Sequence, residues 1–371
     1  MVIMRIVKRL ISIITAIVIS SAVCSLTAFA LNYRDPNEDG VITIADNIYI
    51  RQYLTGLLTP SYREKMDVNE NGLVSLLDAN MITVIDSGGS FIKGNAGSVI
   101  TNTNLYDYNT REYYVYNAQT GQRLTNRDYS LSPSTPSNSI GGGDSPDSVI
   151  GTDDRVIDWT KSGVVKLMCS TNPYYRGTGF VVGKHLIATA AHCVHDGSTS
   201  AKTLSGIKLF NANGTVALTA TPVEIHVPKN YITVGCNYDY ALITVEEDLT
   251  SYMCFDMGVI MDYNSNVPIT VTATGFPQTL PNIPNSSNDG NNHYMYSGTG
   301  SVTGTTTRRV SYNADTSDGE SGCPIYVSES SNGYVHYSVI AIHTNGGDTN
   351  SGVRINSDIL RFIFQNNNLN W

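Results

Sequence analysis

The texture of apolar and polar positions changes several times along the chain. Leu10 to Val23 is an almost unbroken apolar run. Two later stretches, Ile44 to Leu54 and Leu76 to Ile85, place apolar residues at helical spacing. Residues 87–147 sustain no apolar period, and the Tyr-rich stretch Leu105 to Tyr129 is the one place in them where a short hairpin is a candidate. They begin with Ser87-Gly88-Gly89-Ser90 and end with Ser132-Pro133-Ser134-Thr135-Pro136 and Gly141-Gly142-Gly143, which are linker compositions. From Ser148 onward, short runs such as Gly179-Phe180-Val181-Val182, Ala241-Leu242-Ile243-Thr244-Val245 and Ile269-Thr270-Val271-Thr272-Ala273 are separated by polar turns, which predicts a β-barrel or sandwich. Ser357 to Gln365 ends the pattern with Ile359, Leu360, Ile363 and Phe364 at helical spacing, which predicts a terminal helix.

The first apolar run is shorter than the roughly 20 residues a spanning helix needs. Arg5, Lys8 and Arg9 precede it and Ala28-Phe29-Ala30 follows it, the order of a secretory signal peptide over residues 1–30. The expected setting is therefore extracellular, with no membrane attachment after cleavage. A net charge of -9 with 15% charged residues argues against nucleic acid or an anionic membrane as partner. Loss of Cys24 with the signal leaves Cys169, Cys193, Cys236, Cys254 and Cys323, an odd number. Closeness in sequence makes Cys169 with Cys193 and Cys236 with Cys254 the sensible disulfide pairs, and a reducing compartment would leave all of them as thiols.

Leu31 to Asp86 holds a chemical repeat. Asp35-Pro36-Asn37-Glu38-Asp39-Gly40 runs on to Asp46, and Asp67-Val68-Asn69-Glu70-Asn71-Gly72 runs on to Asp78. Calcium is a hard cation that takes six or more oxygens, so its loop must curl to aim them inward. Asp35, Asn37, Asp39 and Asp46 in the first loop, and Asp67, Asn69, Asn71 and Asp78 in the second, would supply side-chain oxygens. The Val41 and Leu73 carbonyls would join them, with Gly40 and Gly72 at the sharp turn. Two calcium ions are expected. Two Asp/Asn-rich turns without metal are the plainer alternative, made less plausible by the repeat and by the helix after each loop. The region (residues 31–86) resembles a dockerin domain, which implies a cohesin domain of a scaffold protein as partner. Where dockerins carry polar pairs for partner contact, this chain has Ile44-Ala45 and Leu76-Leu77, so the resemblance does not say which cohesin is bound.

The remaining chemistry lies in three settings. Thr189-Ala190-Ala191-His192-Cys193 ends an apolar strand, Asn237-Tyr238-Asp239-Tyr240 opens another, and Asp318-Gly319-Glu320-Ser321-Gly322 brackets a serine with glycines. A serine hydroxyl needs an imidazole base, and the imidazole needs a carboxylate to hold its tautomer, so His192, Asp239 and Ser321 form a candidate catalytic triad. The N–H groups of Gly319 and Ser321 would form the oxyanion hole. Each motif alone has a bland reading, as a core histidine, a turn aspartate or a loop serine. Together they stand in chain order His, Asp, Ser, the chymotrypsin order. His185, His195, His226, His293 and His336 are read as core or surface residues.

Over Ser148 to Gln365 the chain is similar to the glutamyl endopeptidases. The matching stretches are Ser148-Val149-Ile150-Gly151-Thr152-Asp153-Asp154-Arg155, the His192 motif, Thr274-Gly275-Phe276-Pro277, the Ser321 motif and Ala341-Ile342-His343-Thr344-Asn345-Gly346-Gly347. The resemblance implies a mainly β chain with two antiparallel six-stranded β-barrels and a C-terminal helix over residues 148–371, preceded by the small α-helical calcium-binding dockerin domain. It implies processing between Asp147 and Ser148, which makes residues 87–147 a linker or propeptide. It also implies protein or peptide substrates cut after Glu, with Asp the second candidate, bound through Thr316 and His343. Glu320 stands where the family commonly has a neutral amide, and its expected partner is the α-amine of Ser148. A chymotrypsin-type protease with another P1 preference is the nearest alternative, and an inactive scaffold-bound binding module is the next.

Overall fold

The computed structural model describes Pro36, residues 44–54, 63–68, 72–76, 78–79, 113–125 and 147–366 apart from 171–175, 198, 253–254, 261–267, 279, 281–291 and 332–333. The signal peptide and the first-loop residues Asp35, Asn37, Asp39 and Val41, with Asn69, Asn71 and Cys254, lie outside the described residues. Among the described residues no helix is long and apolar enough to cross a membrane.

In chain order the strands are β1 (Leu73–Val74), β2 (Tyr113–Asn117), β3 (Val156–Ile157), β4 (Val164–Cys169), β5 (Arg176–Gly183), β6 (Leu186–Thr189), β7 (Leu204–Phe210), β8 (Val216–Ala220) and β9 (Pro222–Pro228). They continue as β10 (Ala241–Val245), β11 (Asp256–Met257), β12 (Val259–Ile260), β13 (Thr270–Gly275), β14 (Tyr296–Thr305), β15 (Arg309–Tyr312), β16 (Pro324–Ser331), β17 (Tyr334–Asn345) and β18 (Asn350–Arg354). One sheet runs β2-β9-β10-β6-β5-β4-β7-β8 and curls into a half-barrel. The other runs β17-β16-β13-β14-β15-β18, and β18 pairs back onto β17, closing a six-stranded barrel. β11 joins β17 in parallel and β3 joins β14.

Burial explains the local choices. β4 is buried along its whole length, so its near-continuous apolar run suits a strand covered on both faces. The C-terminal helix, Ser357–Asn366, buries Ile359, Leu360 and Ile363. Its start is capped by Asn356 Oδ1, which accepts from the N–H groups of Asp358 (3.0 Å) and Ile359 (3.2 Å).

The thiols do not pair as the spacing suggested. Cys169, Cys193 and Cys236 are all free, so neither expected disulfide forms. Cys193 instead directs its thiol at the Ser321 carbonyl oxygen, 3.3 Å away. Burial pushes the Cys169 thiol up to about 12. Nearness in sequence does not orient two Cβ vectors toward each other, which a disulfide requires.

Part of the expected linker is a strand of the half-barrel sheet. Tyr113–Asn117 pairs antiparallel with β9, and Tyr114, Val115 and Tyr116 are buried. The chain then turns back, and Tyr116 bridges to Arg123. Tyr and Val suit a strand by propensity, and pairing with β9 covers three consecutive residues of it, so both faces are buried there.

Candidate active site

Strand pairing brings His192 to Asp239. β6 and β10 run antiparallel with Thr189 opposite Ala241. The short helix Ala191–Val194 after β6 therefore faces the turn Cys236–Tyr238 before β10. His192 Nδ1 lies 2.7 Å from Asp239 Oδ2, and the His192 amide donates to Asp239 Oδ1 at 2.8 Å. This two-point grip fixes ring and backbone together. Burial lowers the His192 pKa, but the Asp239 charge outweighs it and holds the imidazole well above its usual value.

Ser321 arrives from the other barrel, between β15 and β16. Thr178 on β5 spans the seam. Its amide donates to the Ser321 carbonyl (2.9 Å), and its hydroxyl donates to the Gly319 carbonyl (2.9 Å) and accepts from the Phe276 amide (3.1 Å). Gly319 and Gly322 have φ of +96° and +85°, the left-handed region that glycine enters without strain. A side chain at Gly322 would also meet the Thr178 carbonyl oxygen at 2.2 Å. The amides of Glu320, Gly322 and Cys323 donate to the carbonyls of Ser317, His343 and Glu320. The amides of Gly319 and Ser321 have no acceptor among the described residues, which suits a pair of oxyanion donors.

His343 on β17 is fully buried. Its Nδ1 is 2.5 Å from the Tyr312 hydroxyl and its Nε2 is 3.0 Å from Asp147 Oδ1. The Nε2–Oδ1 approach is an ion-pair contact without hydrogen-bond geometry, so charge rather than a directed proton links the imidazole to the carboxylate. The other Asp147 oxygen accepts from Ser321 Oγ at 3.5 Å. Burial raises the Asp147 pKa, but the nearby His343 imidazole prevails and lowers it overall. Thr316 is buried, and its hydroxyl has no hydrogen-bond partner among the described residues.

The stretch after Asp147 is tightly held. The Ser148 amide donates to Asn350 Oδ1 (3.0 Å), Asn350 Nδ2 and the Thr316 amide donate to its carbonyl (2.6 and 3.1 Å), and its hydroxyl accepts from the Gly347 amide (2.9 Å). Asp315 then accepts the amides of Ile150 (2.6 Å) and Asp154 (3.2 Å).

In the uncut chain, where Ser148 has no α-amine, Glu320 already has another cationic partner. Its Oε2 lies 2.5 Å from Arg155 Nη1 and accepts from the Ser317 amide at 2.8 Å. Arg155 is fully buried and also grips Asp153 at 2.8 Å. Burial pushes the Glu320 carboxyl up to about 7 against the pull of Arg155. A buried carboxylate beside Ser321 demands a cation, and the guanidinium of Arg155 already meets that demand in the uncut chain. Arg155, Thr178, Tyr312 and Asn350 are the residues that motif reading missed. Glu320 itself was the signal for Arg155, and no local signal marked the other three. Arg155→Met is expected to destabilise the fold by about 3–5 kcal/mol, because it strands a buried carboxylate. Denaturant titration would check this, with Arg155→Met/Glu320→Gln recovering most of the loss.

His195 behaves as a core residue, with its ring against Tyr116 and Tyr231 and burial lowering its pKa to about 4. In the second calcium loop, Asp67 Oδ2 accepts from the Gly72 amide (2.8 Å), and Asp78 takes the amides of Val68 (2.7 Å) and Ser75 (2.9 Å). Asp46, Asp67 and Asp78 are all buried, and Gly72 has φ +84°. Asp67 and Asp78 are the described carboxylates of this loop that would hold an oxygen-ligated cation, and here both accept backbone N–H groups. Among the described residues no group of three or more His, Cys, Asp or Glu is arranged to hold a metal.

Residues 177–332 match the trypsin-like peptidase domain, and residues 33–84 match the type I dockerin domain, a calcium-binding module. An extracellular metalloprotease of Bacillus subtilis is 29% identical over 229 residues, spanning 59% of this chain and 69% of the relative. A glutamyl endopeptidase of Bacillus licheniformis is 26% identical over 221 residues, spanning 57% of this chain and 66% of the relative. Among solved structures, a Glu endopeptidase in complex with MPD aligns with a TM-score of 0.47 at 21% identity, covering 59% of this chain and 97% of that one. The protease Anisep of Arthrobacter nicotinovorans aligns with a TM-score of 0.38 at 17% identity, covering 56% and 92%.

Proposed function

Since this chain joins a type I dockerin domain to a chymotrypsin-fold protease domain, we propose that it is an exported serine endopeptidase that cuts after acidic residues, Glu foremost, and is tethered to a cohesin-bearing scaffold. The carrying observation is the seat of Asp147. Its carboxylate lies 3.0 Å from His343 Nε2 and 3.5 Å from the Ser321 hydroxyl, so an acidic side chain ahead of a peptide bond occupies the space beside the nucleophile. The unpartnered Thr316 hydroxyl is a further donor for a P1 carboxylate, and Glu has one more methylene than Asp with which to reach it.

In the reaction, His192 takes the Ser321 proton as the hydroxyl attacks the carbonyl carbon after the P1 residue. Asp239 holds the imidazole in the needed tautomer and stabilises its charged form. The Gly319 and Ser321 amides receive the oxyanion. His192 then protonates the leaving amine, and later activates the water that frees Ser321 from the acyl group.

In the uncut chain the Ser321 hydroxyl donates to the Asp147 side chain, whose carboxylate fills the space a substrate's acidic side chain would take. The precursor is thus held as a zymogen until the Asp147–Ser148 bond is cut. The freed α-amine of Ser148 then adds positive charge one residue from that seat. Asp46, Asp67 and Asp78 in the described part of the dockerin would hold calcium, two ions in all, and calcium would supply the order that cohesin contact requires.

Incubation of the exported protein with a denatured protein mixture, with every new peptide end read by mass spectrometry, tests the reading. Ends concentrated after Glu and Asp, with a new terminus at Ser148, are expected. Ends after other residues would discard the roles of His343 and Thr316. Chelator-sensitive capture on immobilised cohesins tests the tether. His343→Leu removes the donor to the P1 carboxylate and is expected to lower kcat/KM on Glu substrates about 10- to 100-fold. Neutral-P1 substrates should change far less, and the ratio of the two rates is the measurement.

A further inference from the structure

We infer that the segment ahead of Ser148 stays on the enzyme after the chain is cut, so that protease and dockerin-bearing fragment persist as one non-covalent complex. This retention presupposes the processing proposed above, but its physical basis is separate and lies in two contacts.

The first is strand addition. β2 extends the half-barrel at β9 over five register pairs, from Tyr113 opposite Pro228 to Asn117 opposite Glu224. Tyr114, Tyr116 and Ala118 belong to the same core cluster as Ile225, Val227 and Leu204 of the protease. Beyond β2 the chain keeps bonding. The amides of Ala118, Leu204 and Ala201 donate to the carbonyls of Val223 (3.0 Å), Ala118 (2.8 Å) and Gly121 (3.0 Å). Gly121, at φ +70°, lets the two backbones approach, since a Cβ there would lie 2.3 Å from the Ala201 carbonyl oxygen. Tyr113 stacks edge-on against Phe362 at 5.2 Å, and Tyr116 against His195 at 4.9 Å. Losing this segment would bare the β9 edge and an apolar surface together, both unfavourable in water.

The second contact is made by the second calcium loop. β1 pairs antiparallel with β12, Leu73 opposite Ile260 and Val74 opposite Val259. Leu73 enters the closed barrel's own core cluster. Its Cδ1 lies 2.9 Å from where Gly258 would carry a Cβ, so the absence of a side chain at Gly258 makes room for it. Leu76, one of the apolar residues found where dockerins carry polar pairs, packs against the main core cluster. Its apolar character therefore has a partner within this chain. Both contacts lie upstream of Asp147, so a cut at Ser148 breaks neither.

A recognition sequence for a site-specific protease, inserted between Pro136 and Gly141 of the Ser321→Ala chain, gives a cut that owes nothing to the protein's own activity. After that cut, gel filtration at micromolar concentration is expected to elute both fragments together at the mass of the intact chain, and denaturant to separate them. Native mass spectrometry of the same sample should show the same complex. Tyr116→Asp, which places a charge in the β2 contact, should move the N-terminal fragment to its own peak. Separate peaks from the unsubstituted cut chain would overturn retention. Failure of the processing reading would show elsewhere, as a wild-type protein without a Ser148 terminus.

Discussion

Ser321→Ala in the processed protein is expected to lower kcat about a million-fold, the scale on which losing the nucleophile disables a serine protease. The loss should fall on kcat and leave KM nearly unchanged. In the proposed reaction the hydroxyl forms and breaks covalent bonds, whereas P1 binding is assigned to His343 and Thr316. Folding should survive, because the contacts that hold this turn are made by backbone. Thr178 and Cys193 both donate to the Ser321 carbonyl, and Gly322 donates to that of His343. Steady-state kinetics beside a thermal melt separates the outcomes. A residual rate near the wild-type value would remove Ser321 from the chemistry, and a lost melt would assign it to the scaffold instead.

Asp239→Asn is expected to cost about ten-thousand-fold in kcat through the wrong imidazole tautomer. It should also move the acid limb of the pH profile. His192 must be neutral to act as a base, so activity falls as pH drops through its pKa. Asp239 holds that pKa well above the usual value, which places the limb on the alkaline side. Without the Asp239 charge, burial lowers the pKa against only the smaller pull of Cys193, so the limb should shift toward acid. Stability has the opposite sense. A raised histidine pKa stabilises the fold below the unfolded value and loses that contribution as pH rises through the folded one. The wild-type protein should therefore become slightly less stable where it becomes active, and Asp239→Asn should flatten that slope. Melts across the same pH series check it.

How much could be read beforehand depended on how local the cause was. The terminal helix needed only its own periodicity, and it runs from Ser357 to Asn366 as a capped helix. His192 and Asp239 stood beside two apolar runs, and the pairing of those runs as β6 and β10 brings the side chains within 2.7 Å. The partner of Glu320 was out of reach, because Arg155 lies 165 residues upstream and only the closed barrel brings the two together. The strand Tyr113–Asn117 was obscured for the same reason. Its Tyr-rich composition allowed a short local hairpin, but its burial depends on β9, more than a hundred residues later. The cysteines failed on a finer scale, since spacing says nothing of how the thiols point.

The bonds holding Ser148 to Arg155 have one more consequence. Asn350, Asp315, Glu320 and Gly347 all grip this stretch while the Asp147–Ser148 bond is intact. The conformational entropy of ordering these residues, on the order of 1–2 kcal/mol for each backbone unit, is thus already lost when the precursor folds. Cutting the bond need not be followed by a disorder-to-order step, and activity should emerge with the kinetics of a bond being broken rather than of a segment finding its place.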